Sequence, residues 1–162
     1  MIFVCAMTMA QTNAYPLLPM PQNYKVTDKS FAMGKVKLST PVLKSEWEAF
    51  IVNAGGELAD KAAAEIKIEL LPVIDGVKLN PDEAYRLSVS GKLIKIEAVT
   101  ERGVYWALQT LRQLEKKKGK KSLFAGCEIV DWPAFRIRGF MQDVGRSYIS
   151  VEELKREIEI LS

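Results

Sequence analysis

The chain has 162 residues, 48% of them apolar and 27% charged, with a net charge of +3. That is ordinary globular composition with enough length for one sizeable core, and the small charge gives no warrant for a nucleic-acid or other polyanionic partner. Histidine is absent, which removes Ser-His-Asp catalysis, Cys-His catalysis and histidine metal ligation from this chain.

In chain order, Met1–Ala10, MIFVCAMTMA, is almost wholly apolar and too short to span a bilayer. It matches the apolar core and small-residue exit of a secretory signal, with Thr8 and Ala10 ahead of the cut. No basic region precedes it, so the start of such a signal is expected to be missing. The alternative is an edge strand. A signal predicts a secreted or periplasmic protein. The two cysteines, Cys5 and Cys127, have no metal-site spacing and suggest no disulfide framework.

Tyr15–Pro21 holds three prolines and reads as an extended entry. Val36–Leu38 is a short strand. Over Lys44–Ala54, Trp47, Phe50, Ile51 and Ala54 recur at helical spacing, and Gly55-Gly56 ends the helix. Glu65–Leu71 alternates charged and apolar residues as a half-buried strand does. Pro72–Asp82 is a polar loop. Tyr85, Leu87 and Val89 before Ser90-Gly91-Lys92, with Ile94 and Ile96 after it, predict a hairpin. Glu101–Lys117 predicts an amphipathic helix, Lys116–Lys121 a basic turn, and Phe124–Val130 a further strand. The result is an α+β layer, a mostly antiparallel sheet with helices on one face. Asp131-Trp132-Pro133 marks a boundary. Beyond it, Arg136–Gln142 predicts a strand and Ser150–Ser162 a helix, one β/α unit that cannot bury its own apolar faces.

The chemistry concentrates in that unit. On a strand, Arg136, Arg138, Phe140 and Gln142 share one face, with Ile137, Gly139, Met141 and Asp143 on the other. An inward arginine needs a carboxylate or a ligand to satisfy it. The pattern alone favours a structural salt bridge, for example between Arg138 or Arg146 and Asp143. Ser150 and Glu153 form a capping box, and Tyr148 and Ile149 are expected to pack. Asp82 and Glu83 are adjacent and point to opposite sides, so they make a poor acid–base pair and read as a solvated turn. The lysines at 116–121 read as a solvated helix end. No nucleotide-binding loop is present.

Two motifs carry a family resemblance. Pro133, Phe135, Arg138-Gly139, Phe140-Met141-Gln142, Asp143, Arg146, Ser147 and Tyr148 resemble the entry to the catalytic barrel of glycoside hydrolase family 20, the β-N-acetylhexosaminidases. Upstream, Glu83–Leu114 resembles that family's non-catalytic N-terminal domain. There a hairpin leads into a helix that opens on glycine and aromatics and finishes Gln-Thr-Leu-Arg-Gln-Leu. Ser147 stands where members have histidine, and Gln142 where they have an apolar residue. The resemblance implies three divisions: a signal segment at 1–10, an α+β non-catalytic domain at 11–131, and the first strand and helix of a truncated (β/α)8 TIM barrel at 132–162. It implies an exo-acting enzyme that removes terminal GlcNAc or GalNAc by substrate-assisted retention, without a cofactor. It also implies that Arg138 binds hydroxyls of the terminal sugar, with Asp143 and Arg146 in support, and that the catalytic Asp-Glu pair lies outside this chain. The implied partner is a glycan ending in N-acetylhexosamine, with no nucleic acid and no membrane span. The alternative is a non-catalytic structural or carbohydrate-associated accessory domain.

Overall fold

A computed structural model describes residues 17–161; the signal-like segment at 1–10 lies outside them. Ten strands and three helices run in the order β1 (Asn23–Val26), β2 (Phe31–Ala32), β3 (Lys35–Ser39), α1 (Lys44–Asn53), β4 (Glu57–Leu58), β5 (Ala64–Leu70), β6 (Tyr85–Ser90), β7 (Leu93–Ala98), α2 (Glu101–Gln113), β8 (Glu115–Lys118), β9 (Lys121–Phe124), β10 (Cys127–Asp131) and α3 (Val151–Leu161). A 3-10 turn at Pro81–Glu83 precedes β6.

Seven strands form the main sheet in the order β1-β10-β6-β7-β5-β3-β4, and β2-β9-β8 form a small second sheet. Five strand pairings are antiparallel, as expected. The other three, joining β7, β5, β3 and β4, are parallel, so the main sheet is mixed rather than mostly antiparallel. The reason lies in the connections. A helix or a long loop separates β3, β5 and β7 where a hairpin turn would have reversed the chain.

Alternation sets the two faces of the sheet. Leu87, Val89, Ile94, Ile96, Ile66, Ile68 and Ile129 turn inward and share one core with Trp47, Phe50 and Ile51 of α1 and Val104, Ala107, Leu108 and Leu111 of α2. Both helices therefore cover the same face. The opposite face carries a ladder of charges: Arg86–Glu97 (3.0 Å), Lys95–Glu97 (2.6 Å), Lys95–Glu69 (3.2 Å) and Lys67–Glu69 (2.8 Å). The β6–β7 hairpin turns at Gly91-Lys92 in the register the alternation predicts, Leu87 opposite Ile96 and Val89 opposite Ile94.

Four expectations need correction. First, α2 stops at Gln113. Its apolar stripe ends at Leu114, and Glu115–Lys118 instead pairs with Lys121–Phe124 across Gly119, whose φ of +63° suits glycine. The basic turn is thus a hairpin. Lys117 Nζ reaches Ser122 Oγ (3.1 Å) and the Asn53 carbonyl (3.0 Å). Second, the strand predicted over Phe124–Val130 is broken at Ala125-Gly126, where the chain passes from the small sheet to the main one. Third, Arg136–Gln142 is not a strand. Residues 132–150 are irregular, with Ile137 90% and Met141 92% exposed. A strand needs a neighbour for its backbone groups and a layer for its apolar side, and no described strand pairs with this one. Fourth, Tyr148 does not pack but is exposed.

α3 does form. Its capping box is complete: Ser150 Oγ accepts from the Glu153 N–H (3.2 Å), and the Glu153 carboxylate accepts from the Ser150 N–H (3.0 Å). None of its residues is fully buried. No described helix is long and apolar enough to cross a membrane.

Candidate functional site

The polar residues that matter gather along one edge of α2. Glu83 ends the 3-10 turn that leads into β6, and that turn sets it, with Ala84 and Tyr85, against the helix. Helix and turn are held close together. Thr100 caps α2 by accepting from the Arg102 N–H (3.2 Å), and it donates to the Asp82 carbonyl. Gly103 lies so near the preceding turn that a Cβ there would sit 2.2 Å from the Ala84 carbonyl oxygen. Asp82 stays exposed beside Arg102 (3.6 Å). Glu83, expected in a solvated turn, is buried.

One turn along α2, Trp106 Nε1 donates to Glu83 Oε2 (2.9 Å). Arg138, arriving from the irregular segment, donates from Nη2 to the same oxygen (2.5 Å) and from Nη1 to the Phe135 carbonyl (2.7 Å). Its guanidinium carbon lies 5.6 Å from the centre of the Trp106 ring. This is a charge-assisted hydrogen bond combined with a cation–π contact. The Arg138 side chain is 40% exposed against 11% for Glu83. Arg138 is therefore salt-bridged, as the pattern alone favoured, but to Glu83 rather than to Asp143.

Further along, the Tyr85 hydroxyl meets Thr110 Oγ1 (2.6 Å) and donates to Asp131 Oδ2 (3.2 Å). Burial, reinforced by the Asp131 charge, pushes the phenol well above its usual range. Asp131 Oδ1 accepts from the Gln22 N–H (3.0 Å). The Gln113 amide clamps Leu18 twice, accepting from its N–H (2.9 Å) and donating to its carbonyl (3.0 Å). Asn80 Nδ2 donates to the Pro133 carbonyl (2.7 Å). These groups hold the entering chain at 18–22 and the leaving chain at 131–138 against the same helix. Between them opens a cleft of about 660 Å³, lined among others by Trp106, Gln109, Gln113, Phe135, Arg138 and Leu161.

Of the three residues implied as site residues, only Arg138 lines this cleft. Asp143 and Arg146 serve their own turn. Asp143 Oδ1 accepts from the Gly145 and Arg146 N–H groups (2.8 and 3.2 Å), and Oδ2 accepts from Arg146 Nε (2.5 Å). The Arg146 hydrogen bond, with the two backbone ones, holds the Asp143 carboxyl below its usual range. Among the described residues no cluster of three or more His, Cys, Asp or Glu could hold a metal ion. Glu83 and the Tyr85–Thr110–Asp131 network are the residues that sequence reasoning missed. No alternation marks Glu83, because it lies in the 3-10 turn and Ala84 beside it is buried as well.

These observations define an α+β domain whose polar side chains bind its own entry and exit segments. Residues 14–132 match the family model described as glycosyl hydrolase family 20, domain 2. The chain belongs to glycosyl hydrolase family 20. It is 28% identical over 162 residues to a "Beta-hexosaminidase" of Porphyromonas gingivalis, covering 90% of this chain and 21% of that protein. It is 35% identical over 103 residues to a "Beta-hexosaminidase" of Vibrio furnissii, covering 64% of this chain and 16% of that one. Among solved structures, a GH20 exo β-N-acetylglucosaminidase from Vibrio harveyi in complex with N-acetylglucosamine matches with a TM-score of 0.69 and 33% identity, over 91% of this chain and 24% of that one. The chain thus spans between 16% and 24% of the length of these three proteins.

Proposed function

We propose that this chain is the N-terminal part of an exo-acting β-N-acetylhexosaminidase, secreted or periplasmic, that removes terminal GlcNAc or GalNAc from glycans or chitooligosaccharides. The observation that carries this reading is the family-20 match over 14–132, running directly into the Pro133–Tyr148 motif. In this reading 1–10 is a signal segment and 11–131 is the non-catalytic domain. Residues 132–162 open a (β/α)8 barrel whose later strands lie in sequence beyond residue 162.

With neighbouring strands supplied, 136–142 gains the pairing it lacks alone. Arg138 then turns its planar fork of donors to adjacent hydroxyls of the terminal sugar. The Asp143–Arg146 pair braces the turn into α3. The reaction is substrate-assisted: the 2-acetamido oxygen attacks the anomeric carbon while a carboxylic acid protonates the leaving oxygen. Both the acid and the carboxylate that orients the acetamide belong to the later strands, so the 162-residue chain alone is inactive.

The test is hydrolysis of an aryl N-acetyl-β-glucosaminide by the longer protein and by its Arg138→Ala variant. The proposal expects turnover that the substitution reduces at least tenfold in kcat/KM, since a lost charge-assisted hydrogen bond is worth roughly 1.5–3 kcal/mol. Absence of turnover, or indifference to Arg138→Ala, overturns it. The hydrogen bonds by which Gln113, Thr110 and Trp106 of α2 hold the chain's own segments support the accessory-domain alternative as a purely structural module. Titration of the chain with N-acetylglucosamine oligomers separates a carbohydrate-binding module from that one.

A further inference from the structure

The Glu83–Trp106 pair is built like a receptor for a planar cation. Its carboxylate, 11% exposed with Arg138 in place, is fixed by the indole N–H, and the indole ring itself forms a wall. The turn below is held rigid by the Thr100 bond to Asp82 and by the close approach at Gly103. Arg138 fills this dock with its guanidinium from an otherwise exposed irregular stretch. Neighbouring cations do not share the arrangement. Arg136 is exposed, and Arg146 is paired only within its own turn, with its side chain 91% exposed.

We propose that Glu83 and Trp106 form a guanidinium dock that latches the Arg138 side chain onto the edge of α2. The latch stands independently of the hydrolase reading. Its consequence for that reading is competition: an N–H committed to Glu83 is not free for a sugar hydroxyl, so the arginine leaves the dock before it engages a saccharide.

Trypsin tests the latch on the chain as it exists, because cleavage after an arginine requires its side chain to enter the protease pocket. Initial rates of cutting after Arg136, Arg138 and Arg146 are compared by mass spectrometry under single-cut conditions. In the unmodified chain, cutting after Arg138 is expected to be slowest, by about fivefold against Arg136, the ratio for an interaction near 1 kcal/mol. Glu83→Gln, close to isosteric, should raise the Arg138 rate about fivefold and leave the Arg146 rate unchanged. Trp106→Phe, which keeps a ring but removes the indole donor, should raise it less. Far-UV circular dichroism melts confirm that each variant is folded. If Glu83→Gln unfolds the domain, Arg138→Lys provides the same reading, since lysine is also cut but lacks the planar fork. Equal cutting after Arg136 and Arg138 in the unmodified chain, or no selective acceleration in the folded variants, overturns the latch.

Discussion

At Gly103 two effects oppose each other. Alanine is the better helix former by about 1 kcal/mol, but its Cβ would lie 2.2 Å from the Ala84 oxygen. Overpacking against backbone costs roughly 1–3 kcal/mol or more, so the clash wins. Gly103→Ala is expected to lower the melting temperature by about 5 °C, and an unchanged or raised value contradicts the close approach. Cys127 gives a second check. Burial pushes its thiol up to about 12, so it should resist iodoacetamide in the native protein and label readily in denaturant. Native-state labelling at Cys127 would show that β10 is not enclosed. The burial of Glu83 has no local sequence signal. Its neighbour Asp82 is solvated as expected, while Glu83 closes the 3-10 turn beneath α2 and is buried. What no periodicity could supply was the partner, since Arg138 lies 55 residues away.

At the scale of elements, legibility followed the strength of local signals. The β6–β7 hairpin has strict alternation around a glycine turn, and α1 and most of α2 have apolar residues at helical spacing. All three were readable. The short strands β1, β2 and β4 were not, because two to four residues carry too little pattern and depend on partners distant in sequence. The end of α2 was misjudged because the good helix formers at 115–118 gain more by pairing with β9. The charge ladder on the open face ties stability to pH. Hydrogen bonding from Lys95, with Arg86 assisting, lowers the Glu97 pKa despite some burial. A carboxylate with a depressed folded pKa stabilises the protein above its unfolded pKa, about 4.3, and that stability is lost as pH falls through the folded value. Melting temperature should fall between pH 5 and 3, and Glu97→Gln should flatten that slope; an unaltered slope would leave the ladder without a role. In α3 the Ser150 cap supports a helix with no fully buried residue. Ser150→Ala, worth about 1 kcal/mol locally, should reduce helicity at 151–161 by NMR shifts and leave global melting unchanged. A fall in global melting would mean that α3 is packed after all.

As a whole molecule, the chain divides in two at Asp131. The sheet and the two helices on it enclose one continuous core. The segment after Asp131 holds onto that body through Asn80, Gln22 and Glu83 but brings no core of its own. Its apolar side chains, Phe135, Ile137, Phe140, Met141 and Ile158, stay in solvent. So many large apolar side chains exposed along one segment agree with the proposed barrel, whose later strands would cover them. Hydrogen–deuterium exchange on the 162-residue chain measures this division most directly. Amides of the β6–β7 hairpin should exchange only through global opening, orders of magnitude slower than amides at 137–149, which have almost no backbone partners and should exchange near their unprotected rate. Strong protection across 137–149 in this chain would contradict the account, because that stretch would then own a packed structure independent of any later strands.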